Sequence, residues 1–185
     1  METKIGDLVI DERLIKSIEK GEESSILQLY DASFSVLMNV VIRYKKNHED
    51  RVSLINNAFM KAITHIQDFK VGTSYSAWIK TILKREIIDD FRKNKRRLLE
   101  VSMANVPESM ETERLVWNMD REIETKQIEA LLLKLPAATR TVFNLFLWED
   151  LRPSEIASEL TISIETVRWH IKTARKLMRQ QMEQL

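Results

Sequence analysis

The chain has 185 residues, with 29 basic and 28 acidic side chains and no cysteine. That length allows one large domain or two small ones, the formal net charge of +1 points to no partner by itself, and the missing cysteines exclude a disulfide framework and a thiolate metal site. A 44% hydrophobic and 31% charged composition suits packed domains facing water, and no run approaches about 18 apolar residues, so no membrane-spanning helix is predicted. The start, METKIGDLVIDERL, lacks a basic segment followed by a long apolar block; a secretory leader is not expected, and the cytoplasm is the expected compartment. His48, His65 and His170 are too widely spaced to read as a ligand set, so neither a metal nor another cofactor is expected.

In chain order, the first helical pattern is DERLIKSIEK. Leu14, Ile15 and Ile18 form its apolar stripe, Asp11 can cap its start, and Gly21 follows its end. Gly72 interrupts the pattern between AFMKAITHIQDFK and SAWIKTILKREIIDDFRK, where Trp78 with Ile79, Ile82 and Leu83 reads as core. Leu98 to Asp120 is polar, contains Pro107 and has weak periodicity, as a linker does. Its RLVWNM stretch is open to two readings, a short helix or a segment that docks on a partner. Pro136 and Pro153 each stand near the start of a new helical pattern, where a missing N–H costs least. Sustained period-two alternation is absent, so strands are not predicted. The expected fold is all-α: two small helical domains, residues 1–97 and 123–185, joined by an acidic linker at 98–122.

Charge is distributed unevenly along this frame. Lys80 to Arg97 holds eight bases against three acids, and Glu100 to Glu124 holds seven acids against two bases. Thr166 to Arg179 holds five bases and no acid. One such run is commonly a solvated face; two, each ending a helical domain, point to a polyanion.

The second basic run closes the sequence PSEIASELTISIETVRWHIKTARKLM. Ile156, Ala157 and Leu160 form the inner face of a short helix, TIS makes a tight turn, and Ser163 can cap the next helix. On that next helix Val167, Ile171, Ala174 and Met178 make one apolar stripe. Two helices crossing over so short a turn make a helix-turn-helix. At 100° per residue Trp169 projects almost opposite the stripe, with Glu165, Lys172 and Lys176 beside it. Thr166 and Thr173 take one shoulder, Arg168, Arg175 and Arg179 the other. Polar side chains near the N-terminal end and cations along the edges suit a recognition helix in a major groove, where phosphate contacts position and a few side chains read base edges.

The order of the pieces carries a family resemblance. LPAATRTVFNLFLWEDLRPSEIASELTISIETVRWHIKTARKLMR resembles the promoter-binding C-terminal domain of bacterial RNA polymerase sigma factors. LIKSIEKGEESSILQLYDASFSVLMNVV resembles the first helices of their extracytoplasmic-function (ECF) group. FKVGTSYSAWIKTILKREIIDDFRK resembles that group's melting and −10 segment, with Phe69, Gly72, Ser74, Tyr75, Trp78, Ile82, Ile88, Asp89 and Arg92 on pattern. The resemblance covers roughly residues 11–97 and 123–182. It implies a promoter-specificity subunit rather than an enzyme, with core RNA polymerase and promoter DNA as partners and an anti-sigma factor as a further one.

The resemblance also implies where each partner is met. The −35 element falls to Glu165, Thr166, Arg168, Trp169, Lys172, Thr173, Arg175 and Lys176. The −10 element falls to Gly72, Thr73, Ser74 and Tyr75 with a basic track of Lys80, Lys84, Arg85, Arg92 and Lys93. Such a track plus a pocket or aromatic surface is what capture of unstacked bases needs; Tyr75 is open to a stacking role or a core role. Core polymerase falls to Asp50, Leu54, Ile55, Asn56, Asn57, Phe59 and Met60.

The chain departs from the family pattern at several of these positions. Ser53 and Asn57 stand where acids are common, and Asn56 where Gln is. Charge-assisted contacts are about twice as strong as neutral ones, so a weaker polymerase contact is expected there. Arg85 stands where Asn is frequent, Thr161 where Gly is common, and Trp169 where Ser is common. The Asn56-Asn57 pair motivates an alternative, a sigma-like decoy for an anti-sigma factor. A stand-alone helix-turn-helix regulator is a second alternative, against which the asymmetric two-domain layout argues. No nucleophile–base pair, metal spacing or phosphate loop supports an enzyme.

Overall fold

The computed structural model describes residues 3–104 and 125–183. The linker's RLVWNM stretch and Pro107 lie outside these. The chain divides into two compact units, Met1–Ile87 and Ile88–Leu185. Among the described residues no helix is long and apolar enough to cross a membrane.

The first unit opens on a feature the sequence reading did not predict. Thr3–Ile5 (β1) and Leu8–Ile10 (β2) pair antiparallel, with Thr3 opposite Ile10 and Ile5 opposite Leu8. Each strand has three residues, too few for alternation to register. The pattern is nevertheless present: Thr3, Ile5 and Ile10 are buried while Lys4 and Val9 face outward. Gly6 makes the turn at φ +57°, a conformation that favours glycine. An isolated two-stranded hairpin is marginal in water, so burial of Ile5 and Ile10 in the unit's core holds it.

Helix α1 (Glu12–Glu19) starts as its sequence requires, with Asp11 accepting the Leu14 N–H at 2.8 Å. Gly21 follows it at φ +77°. Helix α2 (Glu23–Val41) packs on α3 (His48–Thr64), whose N-terminus Asn47 caps by accepting the Glu49 N–H. A 3-10 turn at Ile66–Asp68 leads to α4 (Tyr75–Ala104), which runs through residue 97. Leu29, Leu37, Val41, Ile55, Ala58, Ile79 and Leu83 are wholly buried between these elements. Lys61 on α3 pairs with the buried Glu86 on α4.

The second unit holds α5 (Thr125–Lys134), α6 (Ala137–Leu147), α7 (Pro153–Leu160) and α8 (Ile164–Met182). Pro136 caps α6 and Pro153 opens α7, the positions at which a proline disrupts least. Leu132, Val142, Ile156, Leu160, Val167 and Ala174 are fully buried in one cluster that also takes in Ile88 and Phe91 of α4. Each large apolar side chain so buried contributes about 1.5–3 kcal/mol relative to exposure. The core also admits polar groups that pair internally. Thr139 Oγ1 lies 2.9 Å from His170 Nδ1, and Arg140 donates to the Leu133 carbonyl at 3.1 Å.

Candidate nucleic-acid interface

Helices α7 and α8 with residues 161–163 between them form the predicted helix-turn-helix. The turn is tight because Thr161 adopts φ 52°, ψ 44°, the left-handed region, and sends its N–H back to the Ser158 carbonyl. Its hydroxyl donates to the Leu160 carbonyl at 2.7 Å. Ser163 then accepts the Thr166 N–H at 3.1 Å and starts α8 as its position predicts. At the front of α7, Glu155 accepts the Arg152 backbone N–H at 2.8 Å and two bonds from the Arg152 guanidinium. That side-chain pairing, with the backbone bond second, pulls the Glu155 carboxyl down to about 2.

The stripe Val167, Ile171, Ala174 and Met178 is buried, but the hidden face of α8 is wider than the stripe. His170 and Thr173 are buried as well, and Thr139 of α6 meets His170. Thr173 is only 1% exposed, so its side chain does not reach solvent. Burial also lowers the His170 pKa to about 4. The face left open carries Glu165 and Arg168, both exposed, with Trp169, Lys172 and Lys176 partly covered. Trp169 sets its ring edge-on to that of His170 at 4.8 Å between centroids, which braces it at the border of the open face. Arg175 lies over the Phe146 ring at 5.5 Å, so part of its cationic face is already engaged. Thr166 is half-buried with its hydroxyl 2.9 Å from Ser163 Oγ.

In the first unit the loop Lys70–Ser74 is exposed throughout. Gly72 takes φ +94°, the backbone state that explains a glycine there. Ser74 Oγ accepts the Ala77 N–H at 3.3 Å and caps α4. Tyr75 is not available for stacking: it is 0% exposed, in an aromatic cluster with Phe69 and Trp78, and its hydroxyl lies 3.5 Å from Ser33 Oγ. Desolvation pushes its pKa up to about 12, against a smaller opposing effect of Ser33. Tyr75 stands four and eight residues before Ile79 and Leu83, both wholly buried, so the spacing along α4 was the signal for its core role.

The basic track divides. Lys80 and Arg85 are exposed, and Lys84 is half-buried. Arg92 donates to the Glu159 carbonyl at 2.6 Å and faces the Asp89 and Glu159 carboxylates, while Lys93 is exposed. Lys95 donates to the Thr161 carbonyl at 3.0 Å.

The residues assigned to core polymerase also divide. Leu54, Ile55 and Phe59 are at most 5% exposed, so the first two are core of the unit rather than contact surface. Asp50, Asn56, Asn57 and Met60 are exposed. Phe59 forms the floor of an apolar groove of about 470 Å³ between α2 and α3, lined also by Ile26, Leu27, Tyr30, Asn56 and Met60. Leu27 and Met60 stand 58% and 61% exposed on it, and Tyr30 donates to Asn56 Oδ1 at 2.8 Å. Leu27 was missed from sequence, although an outward leucine at helical spacing from Tyr30 was its available signal. Among the described residues no group of acidic or histidine side chains could hold a metal ion.

A helical unit with a basic, loop-headed helix, followed by a helix-turn-helix unit, is the layout of a promoter-recognition subunit. Residues 29–97 match Sigma-70 region 2, and residues 125–178 match Sigma-70, region 4. The ECF RNA polymerase sigma factor SigW of Bacillus subtilis is 25% identical over 190 residues, covering 97% of this chain and all of that one. RNA polymerase sigma factor SigV of the same organism is 27% identical over 139 residues, covering 75% of this chain and 80% of that one. Among solved structures, the sigma factor RpoE in complex with the anti-sigma factor NepR from Bartonella quintana aligns with a TM-score of 0.46 at 20% identity, over 89% of this chain and 98% of that one. The chain belongs to the RNA polymerase sigma factors, and within them to the ECF group. Its function is that group's: it joins core RNA polymerase and directs promoter recognition and initiation, and it is not an enzyme.

Proposed function

We propose that the open face of α8 reads the −35 element, with Glu165, Arg168 and Trp169 facing base edges and Lys172 and Lys176 on the backbone. The observation that carries this is the asymmetry of α8. Its stripe and one flank are buried, and every remaining direction presents a charged side chain or the indole of Trp169. Arg175 belongs to the packing of α8 as much as to DNA.

The −10 strand is taken by the exposed loop at Gly72, Thr73 and Ser74, with Lys80, Lys84, Arg85 and Lys93 following the backbone. Tyr75 supports that loop from below, and Arg92 is a track residue only when its contacts with α7 are released. Asp50, Asn56, Asn57 and Met60, with the groove floored by Phe59 and flanked by Leu27, form the polymerase contact. In this reading residues 1–97 carry polymerase and −10 binding and residues 123–185 carry −35 binding. The protein works in the cytoplasm, where an anti-sigma factor holds it inactive.

Transcription by core polymerase reconstituted with the chain tests the assignment. Arg168→Ala and Trp169→Ala are expected to re-rank promoters differing in the −35 element. An equal loss on every promoter with Trp169→Ala would make the indole a packing group and overturn its reading role.

A further inference from the structure

The N-terminal hairpin and the loop of Gly72 meet through one side chain. Thr3 is 6% exposed, and its hydroxyl donates to the Thr73 carbonyl at 3.1 Å and accepts the Gly72 N–H at 2.9 Å. A single hydroxyl therefore bridges the peptide groups on either side of the Gly72–Thr73 bond, at the point where the loop adopts φ +94°. The loop's other restraints come from its neighbours in the chain: the Thr73 N–H and Thr73 Oγ1 both donate to the Lys70 carbonyl, at 3.1 and 2.7 Å, and Ser74 accepts the Ala77 N–H through its hydroxyl and the Trp78 N–H through its carbonyl. They fold the loop and join its end to the start of α4. Thr3 adds a tie from the Gly72 end of the loop to the hairpin, which is anchored in turn because Ile5 and Ile10 are 2% and 1% exposed in the core.

We propose that Thr3 is a positioning residue for promoter opening, and that the hairpin exists to hold the 72–74 loop in the shape that takes the −10 strand. The inference rests on the reading of that loop as the −10 contact. A mobile loop must be ordered when the strand binds, and that ordering opposes binding; a loop already fixed by Thr3 avoids it. Of the loop's exposed groups, Thr73 has its own carbonyl clamped and Ser74 follows directly, so loss of the clamp acts on base selection first.

The test uses polymerase reconstituted with the full chain and measures open-complex formation on a promoter and on variants with single changes in its −10 element. Thr3→Val keeps the shape and removes the hydroxyl; Thr3→Ser keeps the hydroxyl. Two lost hydrogen bonds set the scale, roughly a thirtyfold loss in opening for Thr3→Val, equivalent to about 2 kcal/mol. Thr3→Ser is expected to restore it, with polymerase affinity and −35 duplex binding unchanged in both. Hydrogen exchange at the Gly72 amide, faster in Thr3→Val than in Thr3→Ser, reads the clamp directly. Thr3→Ala serves the same comparison should Thr3→Val fold poorly.

Equal opening with Thr3→Val and wild type, or equal losses with Thr3→Val and Thr3→Ser, overturns the proposal. The double change Thr73→Ala, Ser74→Ala separates the two ways of failing. If it leaves −10 discrimination intact, the loop reading is wrong and the inference falls with it. If it alters discrimination while Thr3→Val does not, only the clamp is wrong.

Discussion

Thr161 occupies a left-handed backbone state at φ 52°, the cap that ends α7 and turns the chain into α8. A β-branched residue pays roughly 1–2 kcal/mol in that state, relieved by glycine, while glycine returns freedom to the unfolded chain. Thr161→Gly is therefore expected to stabilise the second unit by up to about 1 kcal/mol, seen as a higher midpoint in urea, with −35 binding retained. His170 gives a pH dependence of definite sign. Burial lowers its pKa from 6.5 to about 4, so between those values the unfolded chain binds a proton that the folded chain rejects. The stability is whole above pH 6.5 and is lost as pH falls toward about 4, by roughly 3 kcal/mol at most. Melting across that window should follow this fall, and His170→Phe should flatten it. A flat wild-type curve would show that the imidazole finds water in the folded state.

Helix α8 shows how an element divides its labour by direction. Its inner residues fix it on α6 and α7, and its outer ones, exposed or half-buried, are those we propose meet a duplex. Lys172→Ala should weaken −35 duplex binding about equally across sequences and shallow the log–log salt dependence by about 0.9, one phosphate contact's worth. An unchanged slope would place Lys172 away from the backbone. In the first unit, Lys61 ties α3 to α4 by pairing with a carboxylate whose side chain is 8% exposed. Lys61→Ala leaves that carboxylate buried without its cation and should cost about 1–3 kcal/mol, read as a lower denaturation midpoint. Lys61→Arg should recover most of it. A loss no larger than that of an exposed lysine would mean that water replaces the cation.

At the scale of the whole molecule a net charge of +1 conceals two basic helices. Under the proposed assignment, DNA affinity comes from those helices and not from the chain's net charge. Lys80 and Lys172 lie in different units. Their alanine variants should lower promoter occupancy additively in free energy, within about 0.5 kcal/mol. A marked departure in the double variant would mean that one unit's contact with DNA sets the other's. The layout itself was legible in the sequence, because helical periodicity and the position of glycine and proline are local properties. The hairpin was not: strands of three residues are too short for their alternation to stand out.

The sequence by itself determined the helical class, the helix-turn-helix, the caps at Asp11 and Ser163 and the inner stripe of α8, since each depends on spacing within a few turns. Tertiary structure alone decided which flank of that stripe is covered. Thr173, Leu54 and Ile55 passed from the assigned contact residues to the buried interior because neighbouring elements cover them. It also decided that Thr3 meets Gly72 and Thr73. A hydrogen bond between residues some seventy positions apart leaves no period in the sequence, because it depends on how separate elements pack and not on the turn of any one of them.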